Sequence, residues 1–508
     1  MWKVLFGARR NYARDQRGNV AVIFAFSAIP LIGLLGGAAD LARYTRHKQA
    51  ILNAMDSAAI ALVRRGAAND TEADRFVNEY IGAMLPKTRD PMLQLARFDA
   101  TDIGGGSRVS ATGNMDTAFM PLIGIRNMPL DLQSEVMKTG GNYEIALALD
   151  NTGSMARNGR IEALRAAAGQ LVDDLYSKEG SRDRVKMALV PFVTAVNIKS
   201  KTPGVFDPAW INPVAPTAVF GREFTRPANR LNLFASMHAR WAGCVEARAE
   251  GDEEDTAPAT AATRWAPYLW ADEPSGYGNH YLPDAKGGKG NKADASDPFA
   301  KYEVNSVPDR KNLGPNAACP EPIVELTNDQ ARMRAEIGKM VPHNVSGGNS
   351  SGTNVAQGLA WGWRVLSPEA PFQEGASYSD KTTTKVLVLL SDGRNQIVPE
   401  GHQGRSDYTS FGYLAEGRLG SKTDYLAAER AVDGKVKRTC ENAKKEGIRI
   451  YTILLQVDFE KTKDLFRDCA STDPNTGEPL FFYVPKPELL AGAFNEIGKD
   501  LTEIRISR

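Results

Sequence analysis

The sequence predicts an α/β protein: a doubly wound, mostly parallel sheet with a long insertion, preceded by a transmembrane helix and a small α+β region. Three observations predict it. From Tyr143 onward, short apolar strand-like runs alternate with amphipathic helical patterns, the signature of a sheet covered on both faces. Between about 41 and 140 a helical pattern is followed by short strand-like runs. Val20 to Ala39 is an apolar stretch without a charge, the length of a bilayer-spanning helix.

In the front half, Tyr44, Ile51, Met55, Ala59 and Leu62 recur at helical spacings, so the apolar segment extends into an amphipathic stalk. Asp70 to Leu85 reads as a second helix, with Phe76, Tyr80, Ile81 and Met84 on one side and Pro86 ending it. Leu93 to Phe98, Arg108 to Ala111, Met115 to Met120 and Leu130 to Met137 read as strands separated by turn-rich runs. The doubly wound part begins with strand Tyr143 to Leu149, helix Arg160 to Tyr176 and strand Val185 to Phe192. It resumes with helices Asp329 to Met340 and Val355 to Leu366, strand Lys385 to Leu390, helix Asp424 to Glu446 and strand Ile448 to Leu455. Strand Phe481 to Val484 and helix Glu488 to Ile504 complete it. The expected division is 1–19 as a basic N-terminus, 20–39 as the transmembrane helix, 41–140 as stalk and small α+β region, and 141–508 as the α/β domain.

An insertion at about 200–325 interrupts the alternation and is too long for a simple connection. Its acidic run Gly251 to Asp255 and its lysine- and glycine-rich run Lys286 to Gly290 read as mobile. Trp210, Trp241, Trp265 and Trp270 instead predict partial order.

Charge and cysteine usage bear on location. The 62 basic and 61 acidic side chains nearly cancel and form no basic stripe, which argues against a nucleic-acid partner. Lys3, Arg9, Arg10, Arg14 and Arg17 stand against Asp15 ahead of the apolar run, so the N-terminus is expected in the cytoplasm and the bulk of the chain outside it. A cleaved signal is the alternative, but the run is longer than a signal core and continues as helix. The four cysteines suit export and two disulfides, Cys244 with Cys319 and Cys440 with Cys469 in order, although three connectivities are possible in principle.

Three segments place oxygen ligands at strand ends or a helix start. Asp150-Asn151-Thr152-Gly153-Ser154 follows the first strand, so one carboxylate and two hydroxyls alternate along a turn. Ser351-Gly352-Thr353-Asn354 opens the helix at Val355, and Ser391-Asp392-Gly393 closes a later strand. Simple capping would explain the first and third but needs no distant Thr353. D-x-T-x-S, G-T-N and S-D-G in this order resemble the metal-ion-dependent adhesion site of von Willebrand factor A domains. The resemblance implies a metal held by Asp150, Thr152, Ser154, Thr353 and Asp392. Magnesium suits such hard oxygen donors, with manganese and calcium also compatible. An open coordination position would then accept an acidic side chain from a protein partner.

The front of the chain carries a second resemblance. Arg17 to Ala25 and Ala39-Asp40 are similar to the N-terminus of TadG-like proteins of the tight-adherence (Flp) pilus system, as are Trp241 to Glu246 and Gly358 to Pro368. It implies a single-pass inner-membrane protein with its bulk in the periplasm, acting in pilus assembly or anchoring beside other pilus components. A surface adhesin using the same metal site is the alternative. Processed pilins of this type carry a glutamate five residues after the cleaved glycine, where this chain has Ile23 after Gly18; a stationary component is therefore expected.

No enzyme is expected. Gly348 to Gly352 matches G-x-S-x-G without a buried strand entering it, the five histidines form no H-E-x-x-H, and the run near Lys286 lacks the ending of a phosphate loop. Trp361 and Trp363 are expected in the core.

Overall fold

In the computed structural model the described residues are 19–65, 69–85, 90–102, 106–137, 142–177, 184–199, 207–214, 229–248, 264–282, 300–303, 306–307, 312–344, 352–380, 382–473, 476–502 and 506–507. The chain divides into two compact units, one of residues 1–139 with 504–508 and one of residues 140–503.

The smaller unit begins with a single helix, α1 (Asn19–Arg65), followed by α2 (Asp70–Met84). Asn69 caps α2 by accepting the Glu72 backbone N–H at 3.0 Å. Strands β1 (Leu93–Asp102), β2 (Gly106–Asp116) and β3 (Asn127–Met137) form an antiparallel sheet, which a two-residue C-terminal strand, Ile506–Ser507, extends beyond β3. The periodic residues of the expected stalk are not free: Ile51, Met55, Ala59 and Leu62 are buried against sheet residues such as Phe98, Val109, Leu132 and Val136. That apolar stripe is one wall of this unit's core. In α2 the buried face is Ala73, Val77 and Ile81, while Phe76 and Tyr80 are half-buried and Met84 is exposed. The expected strand Met115 to Met120 is corrected: Met115 belongs to β2, and Met120–Ile123 is a 3₁₀ turn with Pro121 near its start and Gly124 at φ +92° ending it.

Residues 1–18, and the side chains of most of 20–34, lie outside the described residues, so the basic N-terminus and much of the expected membrane segment go with them. Among the described residues no helix is long and apolar enough to cross a membrane.

The larger unit has an eight-stranded sheet. Its parallel part runs β11 (Phe481–Val484), β10 (Arg449–Leu455), β9 (Thr383–Ser391), β4 (Asn142–Asp150), β5 (Val185–Phe192). Beyond β5 the sheet turns antiparallel through β6 (Val196–Asn197) and β7 (Cys244–Val245), and β8 (Val324–Thr327) pairs separately with β5. Alternation along β4 explains both cores. Ala146 and Ala148 face the cluster under α6 (Val355–Arg364) and α7 (Tyr425–Lys445), and Ile145, Leu147 and Leu149 face the one under α3 (Arg160–Tyr176) and α5 (Gln330–Lys339). The small residues on one side let α6 come close: Gly358 sits against the Phe192 ring and Gly362 against Ala148 and Leu387. Asp329 and Asp424 are N-caps of α5 and α7, so these helices begin one residue later than the pattern predicts. Trp361 and Trp363 are both buried.

The insertion contributes a short helix, α4 (Arg230–Ser236), and two further clusters, one around Tyr268, Trp270 and Tyr408 and one around Phe234, Leu269 and Tyr302. Trp265 and Trp270 are fully buried; Trp210 and Trp241 are partly so. The acidic and lysine-rich runs lie outside the described residues. Two disulfides join Cys244 to Cys319 and Cys440 to Cys469. The first ties the insertion's β7 to the segment that leads back into β8.

Candidate functional site

The site lies where the sheet's winding reverses. β4 is flanked by β5 on one side and β9 on the other, so the connections leave in opposite directions and a crevice opens beyond the carboxyl ends of β4 and β9. Asp150 is the last residue of β4, and Asp392 directly follows β9. Hydrophobic strands thus carry two carboxylates to one place.

Asp150 is completely buried and firmly oriented: one oxygen accepts the Thr152 backbone N–H at 2.7 Å, the other the Ser391 hydroxyl at 2.5 Å. Past it the chain makes a short 3₁₀ turn, Gly153–Ala156, that lifts Thr152 and Ser154 to the same side. Their hydroxyl oxygens are 2.9 Å apart, and Ser154 donates to Asp392 Oδ1 at 2.6 Å. The turn is backed by residues 343–344: the His343 N–H donates to the Asn151 carbonyl at 2.8 Å, and a Cβ on Gly153 would fall 1.6 Å from Asn344 Oδ1. A larger residue there would have to displace the Asn344 side chain.

Thr353 arrives from the start of α6. It exchanges backbone hydrogen bonds with Gln396 at 3.2 and 2.9 Å, and its hydroxyl lies 3.4 Å from where a Cβ on Gly393 would stand. Asn354 caps α6 and also donates to Ser410 Oγ at 2.8 Å, tying the Thr353 turn to the loop beyond β9. Ser351, the first residue of that motif, lies outside the described residues, as does most of the G-x-S-x-G run. Asp150, Thr152, Ser154 and Asp392 therefore form one cluster, with Thr353 beside its Gly393 edge.

Two buried carboxylates in mutual range are electrostatically costly. Burial pushes Asp150 up to about 7, and the charge of Asp392 adds to the rise against the hydrogen bonds from Ser391 and Thr152. Burial also raises Asp392, opposed by Ser154 and Arg160. A hard divalent cation would favour the ionised form of both, and carboxylate plus hydroxyl oxygens are the donor class that magnesium takes. The donor set fits such an ion. Among the described residues no cluster of three or more Asp, Glu, His or Cys side chains could hold a metal, so a cation here would rest on the two carboxylates and the hydroxyls.

Sequence reasoning missed Arg160. It reads as the first residue of an amphipathic helix, yet its Nη1 pairs with Asp392 Oδ2 at 2.5 Å while its Nε donates to Gln456 Oε1 at 2.7 Å. Gln456 follows β10 at φ +57°, so three strand ends, those of β4, β9 and β10, serve one cluster. His343, dismissed with the scattered histidines, is buried behind the Thr152 turn within 3.4 Å of Glu321. No local pattern around either residue signals this.

Residues 18–69 match the family described as "Putative Flp pilus-assembly TadE/G-like". No curated protein matches the sequence. Among solved structures, the chain is similar to the pilus adhesin SpaC from Lactobacillus rhamnosus GG, with 12% identity, TM-score 0.33, and coverage of 82% of this chain and 35% of that one. It spans about a third of SpaC. It is also similar to the vWF domain of the type V pili tip protein Mfa5 from Porphyromonas gingivalis, with 12% identity over 71% of this chain and 95% of that one and TM-score 0.33. A third is the PilB minor pilin from Streptococcus sanguinis, with 12% identity over 82% of this chain and 80% of that one and TM-score 0.31. At its N-terminal end, then, over residues 18–69, this chain is similar to the TadE/G-like Flp pilus-assembly family.

Proposed function

We propose that this protein is a membrane-anchored, periplasm-facing binding factor of a tight-adherence pilus, which captures a protein partner through a divalent cation held in a von Willebrand A-type site. The observation that carries the reading is the convergence of Asp150, Thr152, Ser154 and Asp392 at the sheet's switch point. Asp392 and Asp150 would supply charge, and Thr152, Ser154 and Thr353 neutral oxygens. Two carboxylates against one dication leave room for a third from outside, so an acidic side chain on the partner would complete the shell. When bound, the ion supplies that bridging charge; the chain's own residues position it. Arg160 pairs with one oxygen of Asp392, so its guanidinium would compete with a cation for that carboxylate.

The same hydrogen bonds support binding rather than catalysis. The Ser154 hydroxyl donates to a carboxylate whose other oxygen is neutralised by Arg160, which is an arrangement for holding an oxygen still rather than for stripping its proton. The TadE/G-like segment supports placing this activity at the pilus machinery.

The test is capture. Immobilised full chain is expected to retain pilus components in magnesium and release them in a chelator, whereas retention indifferent to the metal would refute the reading. Retention of host or matrix ligands alone would favour the adhesin.

A further inference from the structure

The turn between β2 and β3 is unusual for an antiparallel connection in that it is apolar and outward-facing. Pro121, Leu122, Ile123, Gly124, Ile125 and Arg126 are consecutive exposed residues, Leu122 at 61% and Ile123 at 60%. Phe119 and Ile125 add more than two-fifths exposure each. Of the large apolar side chains exposed in this unit among the described residues, all but Met84 lie either on this turn or on α1 before Ala42, at Phe24, Leu35 and Leu41. A contiguous apolar patch of this kind marks an interaction surface.

The turn is fastened to one level of α1. The Asp40 carboxylate, fully buried, accepts the backbone N–H groups of Ala118, Phe119 and Met120 at 3.1, 2.8 and 2.9 Å. Gly36 and Gly37 provide the flat face on which it rests: a Cβ at Gly36 would come within 2.3 Å of the Phe119 Cβ, and one at Gly37 within 3.7 Å of Met120. These glycines lie inside the charge-free run that ends at Ala39, so the seat is about 5 Å, one helical turn, short of its end. Asp40 is thereby consumed internally, and no carboxylate faces outward at that level from α1. Arg126, exposed beside the turn, is the kind of side chain that keeps its head at the phosphate layer while its stem stays apolar.

We infer that the Phe119–Ile125 turn is a second, shallow membrane contact, which inserts Leu122, Ile123 and Ile125 into the interfacial layer of the bilayer beside the helix. The inference rests on the reading of α1 as a membrane anchor. Its depth matches that of interfacial apolar segments, roughly 5 to 10 Å into the headgroup and acyl boundary. Together with α1 it gives the small unit a two-point hold on the bilayer.

The test uses the full chain reconstituted in vesicles of phosphatidylcholine and phosphatidylglycerol. Since the native cysteines are all in disulfides, Ile123→Cys, Phe24→Cys and Glu79→Cys each offer one site for an environment-sensitive fluorophore. Nitroxide-bearing lipids are expected to quench the label at 123, most strongly with the nitroxide near the headgroup, to quench the label at 24, and to leave 79 bright. Quenching at 24 but not at 123 would overturn the inference and leave the anchor standing. No quenching at either would overturn both. A label at 123 that is blue-shifted yet unquenched would mean that a second copy or a protein partner covers the turn, and would overturn it too.

Discussion

Asp150→Asn is expected to weaken magnesium binding by about a hundredfold or more while making the metal-free protein more stable at about pH 8. The first effect is the loss of one of the two carboxylates that would hold the ion, a cost at or above the roughly 10- to 100-fold of removing an outer-shell group. The second follows from linkage. The metal-free Asp150 is pushed up to about 7 against about 3.9 in an unfolded chain, so the folded state holds the proton more tightly. Its contribution to stability is therefore fully present below about pH 4 and is lost as pH rises through about 7. An amide keeps the shape and an acceptor for the Thr152 N–H but never ionises. Thermal unfolding of both proteins from about pH 4 to 8 reads this directly: wild type should lose stability over the interval relative to Asp150→Asn, and magnesium should restore wild type alone. Parallel curves would contradict the account.

Glu246→Ala is expected to cost about 3 to 5 kcal/mol, the range for removing one partner of a buried ion pair. Glu246 accepts from Arg230 at 2.5 Å, from Arg418 at 3.0 Å and from the Tyr408 hydroxyl, and Arg230 is 1% exposed. One carboxylate thus joins α4, strand β7 and the loop beyond β9. Its loss leaves a buried guanidinium whose remaining hydrogen bond among the described residues is to the Pro267 carbonyl, at 2.7 Å. Because Asn354 binds Ser410 on that same loop, the damage should reach the Thr353 turn. Denaturant unfolding measures the cost, and Glu246→Gln, which retains hydrogen bonds, should lose less. A cost below about 1 kcal/mol would show that the insertion is held by its apolar clusters and disulfide instead.

What the sequence made legible was what local pattern determines. β5, β11 and α3 fall on their expected bounds because apolar runs and helical stripes there are strong and uninterrupted. The placement of Asp150 and Asp392 at two strand ends was readable because each closes a short apolar run in an alternating strand and helix pattern. The two disulfides join the cysteines in sequence order. Elements fixed by distant packing were not legible. The helix Glu460–Cys469 is a miss of another kind, since its buried residues Thr462, Leu465, Phe466 and Cys469 do recur at helical spacing. β8 is four residues whose partner, β5, lies far back in the chain. Arg160 reaches Asp392 across 232 positions, and no spacing rule spans that. Met115 to Met120 looked like a strand because its apolar residues alternate loosely; the backbone turns there because Asp40 binds three successive N–H groups.

Whether the cluster at the ends of β4 and β9 holds a divalent cation is decided by titration calorimetry of magnesium into the full chain at about pH 8. Saturable binding of a single ion per chain is expected, weakening as pH falls below about 7 because protons compete for Asp150. A folded protein that takes up no magnesium, manganese or calcium at any of these pH values would contradict it.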